Sequence, residues 1–170
     1  MKTPSTSPTR RGSSLIEAVI AMGVLAVAIP LGFAALAESG RSGMSARAET
    51  RSSWIIPACL YEIRASRAGR PQYFSATTTG QEFPADDELW ALAFSPEGRP
   101  LGKLSQALYN KGTRELDGQI IGYIATLSAT IPTPPTTEPV PLLRARISLE
   151  YPPTAPSTKR QKLDFYSRIP

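Results

Sequence analysis

The hydrophobic pattern changes character twice along the chain. From Ala18 to Ala37 there are 20 residues without a charge. At 1.5 Å rise per residue such a helix is about 30 Å long, enough to cross a hydrocarbon core. From residue 38 to 68 the apolar positions thin out. Met44, Ala48, Ile55, Cys59 and Ile63 recur at roughly helical spacing, which predicts an amphipathic helix with one apolar stripe. Arg47, Arg51 and Arg64 fall mostly off that stripe. Later the period becomes two. Ile121, Tyr123, Ala125, Leu127, Ala129 and Ile131 alternate with small or polar residues. Leu143 to Tyr151 and Leu163 to Ile169 repeat the alternation, and the short link between them predicts an antiparallel hairpin or meander. Leu89 to Phe94 is apolar on both faces and is followed by the turn sequence Ser95-Pro-Glu-Gly-Arg-Pro100.

These changes of period predict an α+β fold. A long N-terminal helix, first membrane-spanning and then amphipathic, packs on a small antiparallel β-sheet head. Breakers refine the boundaries. Gly23, Pro30 and Gly32 lie within the apolar run, and Pro30 is expected to kink or locally open the helix. Gly40 and Gly43 predict a flexible joint near 39–44, and Pro57 predicts a bend. Gly69 suits a C-cap and Pro71 prevents continuation of the helix. The Pro-rich stretch 132–141 reads as a stiff, exposed spacer between strands. Cys59 reads as a small buried residue of the stripe, and Trp54 as a core anchor in preference to an interfacial residue.

Composition removes several classes of function. The chain has no histidine and one cysteine, so an intrachain disulfide, a Cys/His zinc site and the Ser-His-Asp and Cys-His catalytic schemes are all excluded. Composition does not exclude an enzyme of another kind; the expectation of a non-enzymatic protein without cofactor or metal comes with the resemblance described below. The formal charge of +5 comes from 19 basic and 14 acidic residues. Three of the bases, Lys2, Arg10 and Arg11, stand in the first twelve residues, and without them the balance is 16 to 14, a net of +2. No basic stripe with interleaved aromatics follows, so nucleic acid is not an expected partner. Asp86, Asp87 and Glu88 form an acidic cluster, but it lacks the spacing of a calcium loop and reads as a solvated loop or helix start.

Three readings fit the N-terminal segment. A secretory signal peptide would have a basic start, an apolar centre and an A-x-A site at Ala35-Leu36-Ala37, although the run exceeds the usual apolar length and Glu17 interrupts its beginning. A plain signal anchor needs only the spanning length. The third reading uses the sequence Arg10-Arg11-Gly12-Ser13-Ser14-Leu15-Ile16-Glu17, which leads directly into the apolar run. It resembles the prepilin-type signal of type IV pilins and type II secretion pseudopilins. The resemblance implies cleavage by a prepilin peptidase after Gly12, with Ser13 as the new and modified N-terminus and Glu17 as the fifth residue of the mature chain. Ser13 stands where the family most often has phenylalanine.

The resemblance also implies a reason for the acid. A lone charge at mid-bilayer costs about 2.5–3.5 kcal/mol on insertion scales. Cleavage creates a cationic amine on Ser13, and in a filament of side-by-side helices Glu17 would pair with the amine of a neighbouring subunit. Residues 1–12 would then be the leader, 13–38 the transmembrane and filament-core helix, 39–71 the amphipathic helix with its joint, and 72–170 the head. The end of the chain, ISLEYPP to KLDFYSRI, is similar to small pseudopilins and minor pilins, including the Verru_Chthon cassette pilin-like proteins. The implied function is a minor pilin or pseudopilin. Its partners would be the peptidase, other pilin subunits, an inner-membrane assembly platform and membrane lipid. Its location would be the inner membrane, single-pass with a periplasmic head, and then a filament. The alternative is a membrane-anchored or secreted extracytoplasmic binding or adhesin domain with an ordinary signal.

Overall fold

Alternate residues of three strands supply the floor on which the helix rests, and the rest of the head is built around that contact. The computed structural model describes residues 15–77, 81–85, 88–131 and 143–169. Helix α1 runs Leu15–Arg67. The strands are β1 (Ala91–Phe94), β2 (Pro100–Lys103), β3 (Glu115–Leu116), β4 (Gln119–Ile120), β5 (Tyr123–Thr130), β6 (Leu143–Tyr151) and β7 (Gln161–Ile169), with a short helix α2 (Gln106–Lys111) between β2 and β3. The five-stranded sheet has the order β2-β1-β5-β6-β7, and every pairing is antiparallel. This is the α+β arrangement that the change of period predicts. The chain divides into two compact units, Met1–Met44 and Ser45–Pro170.

In the second unit, Ala48, Ile55, Cys59 and Ile63 are fully buried. They share one core with Leu127 and Ala125 of β5, Leu143, Ala145, Ile147 and Leu149 of β6, and Ile169 of β7. Cys59 therefore lies where the stripe puts it, and burial pushes its thiol pKa well up. Two expectations for this part of the helix are corrected. Trp54 is 68% exposed, because it lies one residue, about 100° of helix rotation, from the inward Ile55. Met44 is 40% exposed and belongs to the first unit, so the buried stripe starts at Ala48. Residues 39–44, where a joint was expected, are helical, as are Pro30 and Pro57.

The end of α1 closes as a Schellman motif. Gly69 has φ +70°, Gly69 N–H donates to Ser66 O at 3.1 Å, and Arg70 N–H donates to Ala65 O at 2.8 Å. The chain then turns back, and Glu62 catches it. This glutamate is 2% exposed. Its Oε1 accepts from the backbone N–H of Gln72 (3.1 Å), Tyr73 (2.7 Å) and Phe74 (3.2 Å). A buried carboxylate is tolerable only with such partners. Phe74 is thereby presented to Trp90, stacked at 4.6 Å between centroids, and Phe83 stacks on Trp90 at 4.5 Å. Phe83 also exchanges two backbone hydrogen bonds with Ala129 of β5.

Three small elements sit on the other side of the sheet. Ser105 caps α2, its hydroxyl accepting from Leu108 N–H. β3 and β4 pair across Asp117-Gly118, with φ values of 49° and 76°, the pattern of a type I′ hairpin turn. Gly122 leads into β5 so close to Pro96 that a Cβ would lie 2.5 Å from its Cα. The Pro-rich stretch 132–141, expected as a spacer, lies outside the described residues between β5 and β6.

Glu62→Ala is expected to destabilise the folded head by about 2–3 kcal/mol, since it removes charge-assisted bonds to three backbone donors. Glu62→Gln retains one acceptor oxygen and should cost less. Urea denaturation of the purified chain, followed by tryptophan fluorescence, measures both.

Candidate functional site

The residues singled out from sequence lie at the start of the chain. Gly12 and Ser13 are outside the described residues. Glu17 is the third residue of α1, in its first turn. The positive end of the helix dipole favours a carboxylate there. Ser14-Leu-Ile-Glu17 also has the spacing of a capping box, a local signal that needs no partner molecule. Past Glu17 the helix is apolar all round. Its best 18-residue window has a mean hydropathy of 2.5, and none of that window is buried. Val19, Leu25, Ile29, Phe33 and Leu36 are each more than half exposed. A helix apolar on every side and covered on none is a candidate membrane span or signal sequence.

The head carries a second concentration of chemistry, on the sheet face turned away from α1. Glu150 of β6 is fully buried, as is the side chain of Arg160, which follows a short 3-10 turn, Ser157–Lys159. Their charges meet at 3.1 Å, from Arg160 Nη1 to Glu150 Oε2. Glu150 Oε1 accepts from Tyr109 OH at 2.8 Å and pairs with Lys162 Nζ at 2.9 Å. Lys162 lies directly opposite Glu150 in the β6–β7 register. Arg160 also donates to the carbonyls of Ala155 and Tyr109, and its guanidinium lies 4.8 Å from the centre of the Tyr109 ring. Burial, then the bond to Glu150, raise the Tyr109 pKa. Both oxygens of Glu150 are engaged, so the group ties α2 and the loop after β6 onto the sheet. Sequence alternation alone places Glu150 on an outward face; it does not reveal that α2 covers that face.

Beside this cluster, Arg146 Nη2 donates to Asp164 at 2.8 Å. That bond, helped by Ser148, holds the Asp164 carboxyl below its ordinary range. Glu88 is held low first by Trp90 and then by Lys103, whose Nζ lies 3.0 Å away. The Trp90 Nε1 and Ser148 Oγ atoms are buried and lack a partner in good hydrogen-bonding geometry, so they act on these carboxylates by proximity. Asp86 and Asp87, the other members of the acidic cluster, lie outside the described residues. Among the described residues no three His, Cys, Asp or Glu side chains are grouped to hold a metal ion.

Asp164 and Glu88 have folded pKa values below their ordinary 3.8 and 4.5. Each contributes stability that is complete above its ordinary value and is lost as pH falls through the lower folded one. Both pairs reach solvent, so the contribution is small, up to about 1 kcal/mol each. The urea midpoint is expected to fall below about pH 4.5, with a shallower decline in Asp164→Asn. A midpoint followed from pH 6 to pH 2 measures this.

No protein-family model, curated protein or solved structure matches this chain.

Proposed function

We propose that the chain is a structural subunit, a minor pilin or pseudopilin, of a type IV pilus or type II secretion-like filament. In this reading a prepilin peptidase cleaves between Gly12 and Ser13, and Glu17 pairs with the Ser13 amine of a neighbouring subunit. The apolar part of α1 holds the subunit in the inner membrane with its head in the periplasm, and later packs among the same helices of other subunits.

The observation that carries the reading is the register of three features. Glu17 is five residues past the Gly12 bond, it lies in the first turn of α1, and it is followed by a helix apolar on all sides, none of whose most apolar 18 residues is buried among the described residues. Helices of this kind require lipid or other helices around them. The order of long helix and then antiparallel sheet supports the same reading, since it is the layout of pilin-like proteins. The head contributes a folded body in which the two buried acids, Glu62 and Glu150, are held by partners within the head.

The mature N-terminus tests the proposal. Sequencing or intact mass of the chain isolated from membranes of cells containing a prepilin peptidase is expected to show Ser13 first. A chain beginning at Glu38 would point to an ordinary signal peptide, and one beginning at Met1 to an uncleaved anchor. Glu17→Ala is expected to leave cleavage intact and to lower recovery of the subunit in sheared filaments at least about tenfold, the effect of losing roughly 1.4 kcal/mol of assembly energy. Filaments that incorporate the variant normally would remove the assigned role of Glu17.

A further inference from the structure

The outer face of the sheet holds a half-open hollow of about 220 Å³, beside the Glu150 cluster. Its lining divides by chemistry. Pro84 and Leu89 form an apolar wall, Thr126 and Ser128 of β5 form a hydroxylated floor, and Arg146 and Lys162 stand on the far side. We propose that this hollow binds one acidic sugar unit, a hexuronate, by its carboxylate and ring hydroxyls. The inference goes beyond the filament reading and does not depend on it.

The charge balance selects a mono-anion. Around the hollow Arg146, Arg160 and Lys162 are paired with only two carboxylates, Asp164 and Glu150, which leaves one positive charge unmatched. The Arg146 guanidinium has five N–H donors, and Asp164, which does not line the hollow, takes one of them. The side chain is 49% exposed, so the remaining fork is accessible to a planar carboxylate. A dianion such as a phosphate monoester would bring one more negative charge than this lining matches and would set it near Asp164.

The floor selects a polyol over a simple carboxylate. Thr126 and Ser128 are two residues apart on one strand, so both hydroxyls point to this face. Among the described residues neither hydroxyl has a hydrogen-bond partner. Each can donate and accept, which matches a sugar hydroxyl, and the apolar wall offers a surface for the C–H side of a ring. The site is also built on rigid elements. β5, β6 and β7 keep an unbroken register through Thr126–Ser148–Asp164 and Ser128–Arg146–Tyr166. The floor and the cationic side are therefore set by paired strands before a ligand arrives.

Saturation-transfer NMR on the full chain in detergent micelles tests the proposal, with D-glucuronate as the probe and D-glucose and acetate as comparisons. Saturable binding of glucuronate is expected, with glucose and acetate each at least about tenfold weaker. Arg146→Gln is expected to weaken glucuronate at least about tenfold, and Ser128→Val, which fills the floor and removes its hydroxyl, to do the same without touching a charge. Circular dichroism of both variants should be unchanged. Glucuronate binding that is absent, or that is equal in both well-folded variants and the parent, overturns the proposal. So does acetate binding as tightly as glucuronate, since a bare carboxylate subsite does not need the floor.

Discussion

The carboxylate of Glu62 is the contact on which the order of the head depends. It lies on the buried face of α1, one turn before the helix ends, and gathers three successive backbone N–H groups of the returning chain. Without an acceptor there, residues 72–74 would leave donors unpaired against the core, which backbone amides rarely tolerate. With it, Phe74 is delivered to one face of Trp90 and Phe83 to the other. Trp90 immediately precedes β1, and its carbonyl accepts from Leu127 N–H of β5 at 2.8 Å. One buried anion thus connects the end of the helix, the connecting loop and the entry to the sheet.

The two buried acids of the head solve the same problem in different ways. Among the described residues Glu62 pairs with no cation and is held by backbone dipoles, which fixes the path of the chain. Glu150 is matched by Arg160 and Lys162 and held by Tyr109, which fixes elements distant in sequence. Removing one partner from such a group leaves a charge stranded in a poor solvent, so these clusters resist piecemeal change. The apolar part of α1 presents the opposite case. It has no buried face of its own, and its stability depends on what surrounds it.

Much of the fold is legible because the periodicities are strong. The stripe Ala48-Ile55-Cys59-Ile63 and the alternating runs of β5, β6 and β7 report the core directly, and Gly69 reports the helix end. Trp54 lies off that stripe; its reading as a core anchor rests on residue type, and angular position overrides it. The short elements escape for another reason. β2, α2 and the β3–β4 hairpin are each six residues or fewer, too short for a period to show. Their signals are local instead, a capping Ser105 and the Asp117-Gly118 turn. The Glu62 and Glu150 clusters are less legible still, because their partners lie 10 to 41 residues away in sequence. The motif around Gly12 and Glu17 is read from sequence, while the hollow beside Glu150 becomes visible only when three strands are laid side by side.

The burial of Cys59 has a practical corollary. The chain's single thiol is enclosed between helix and sheet, and its raised pKa keeps it in the unreactive protonated form at neutral pH. A maleimide or spin label added to the native protein would find no accessible sulfur. Tyr166→Cys, at a position 61% exposed on β7, would then carry the only labelled site, and distances between heads in any assembly could be measured without first removing the natural cysteine.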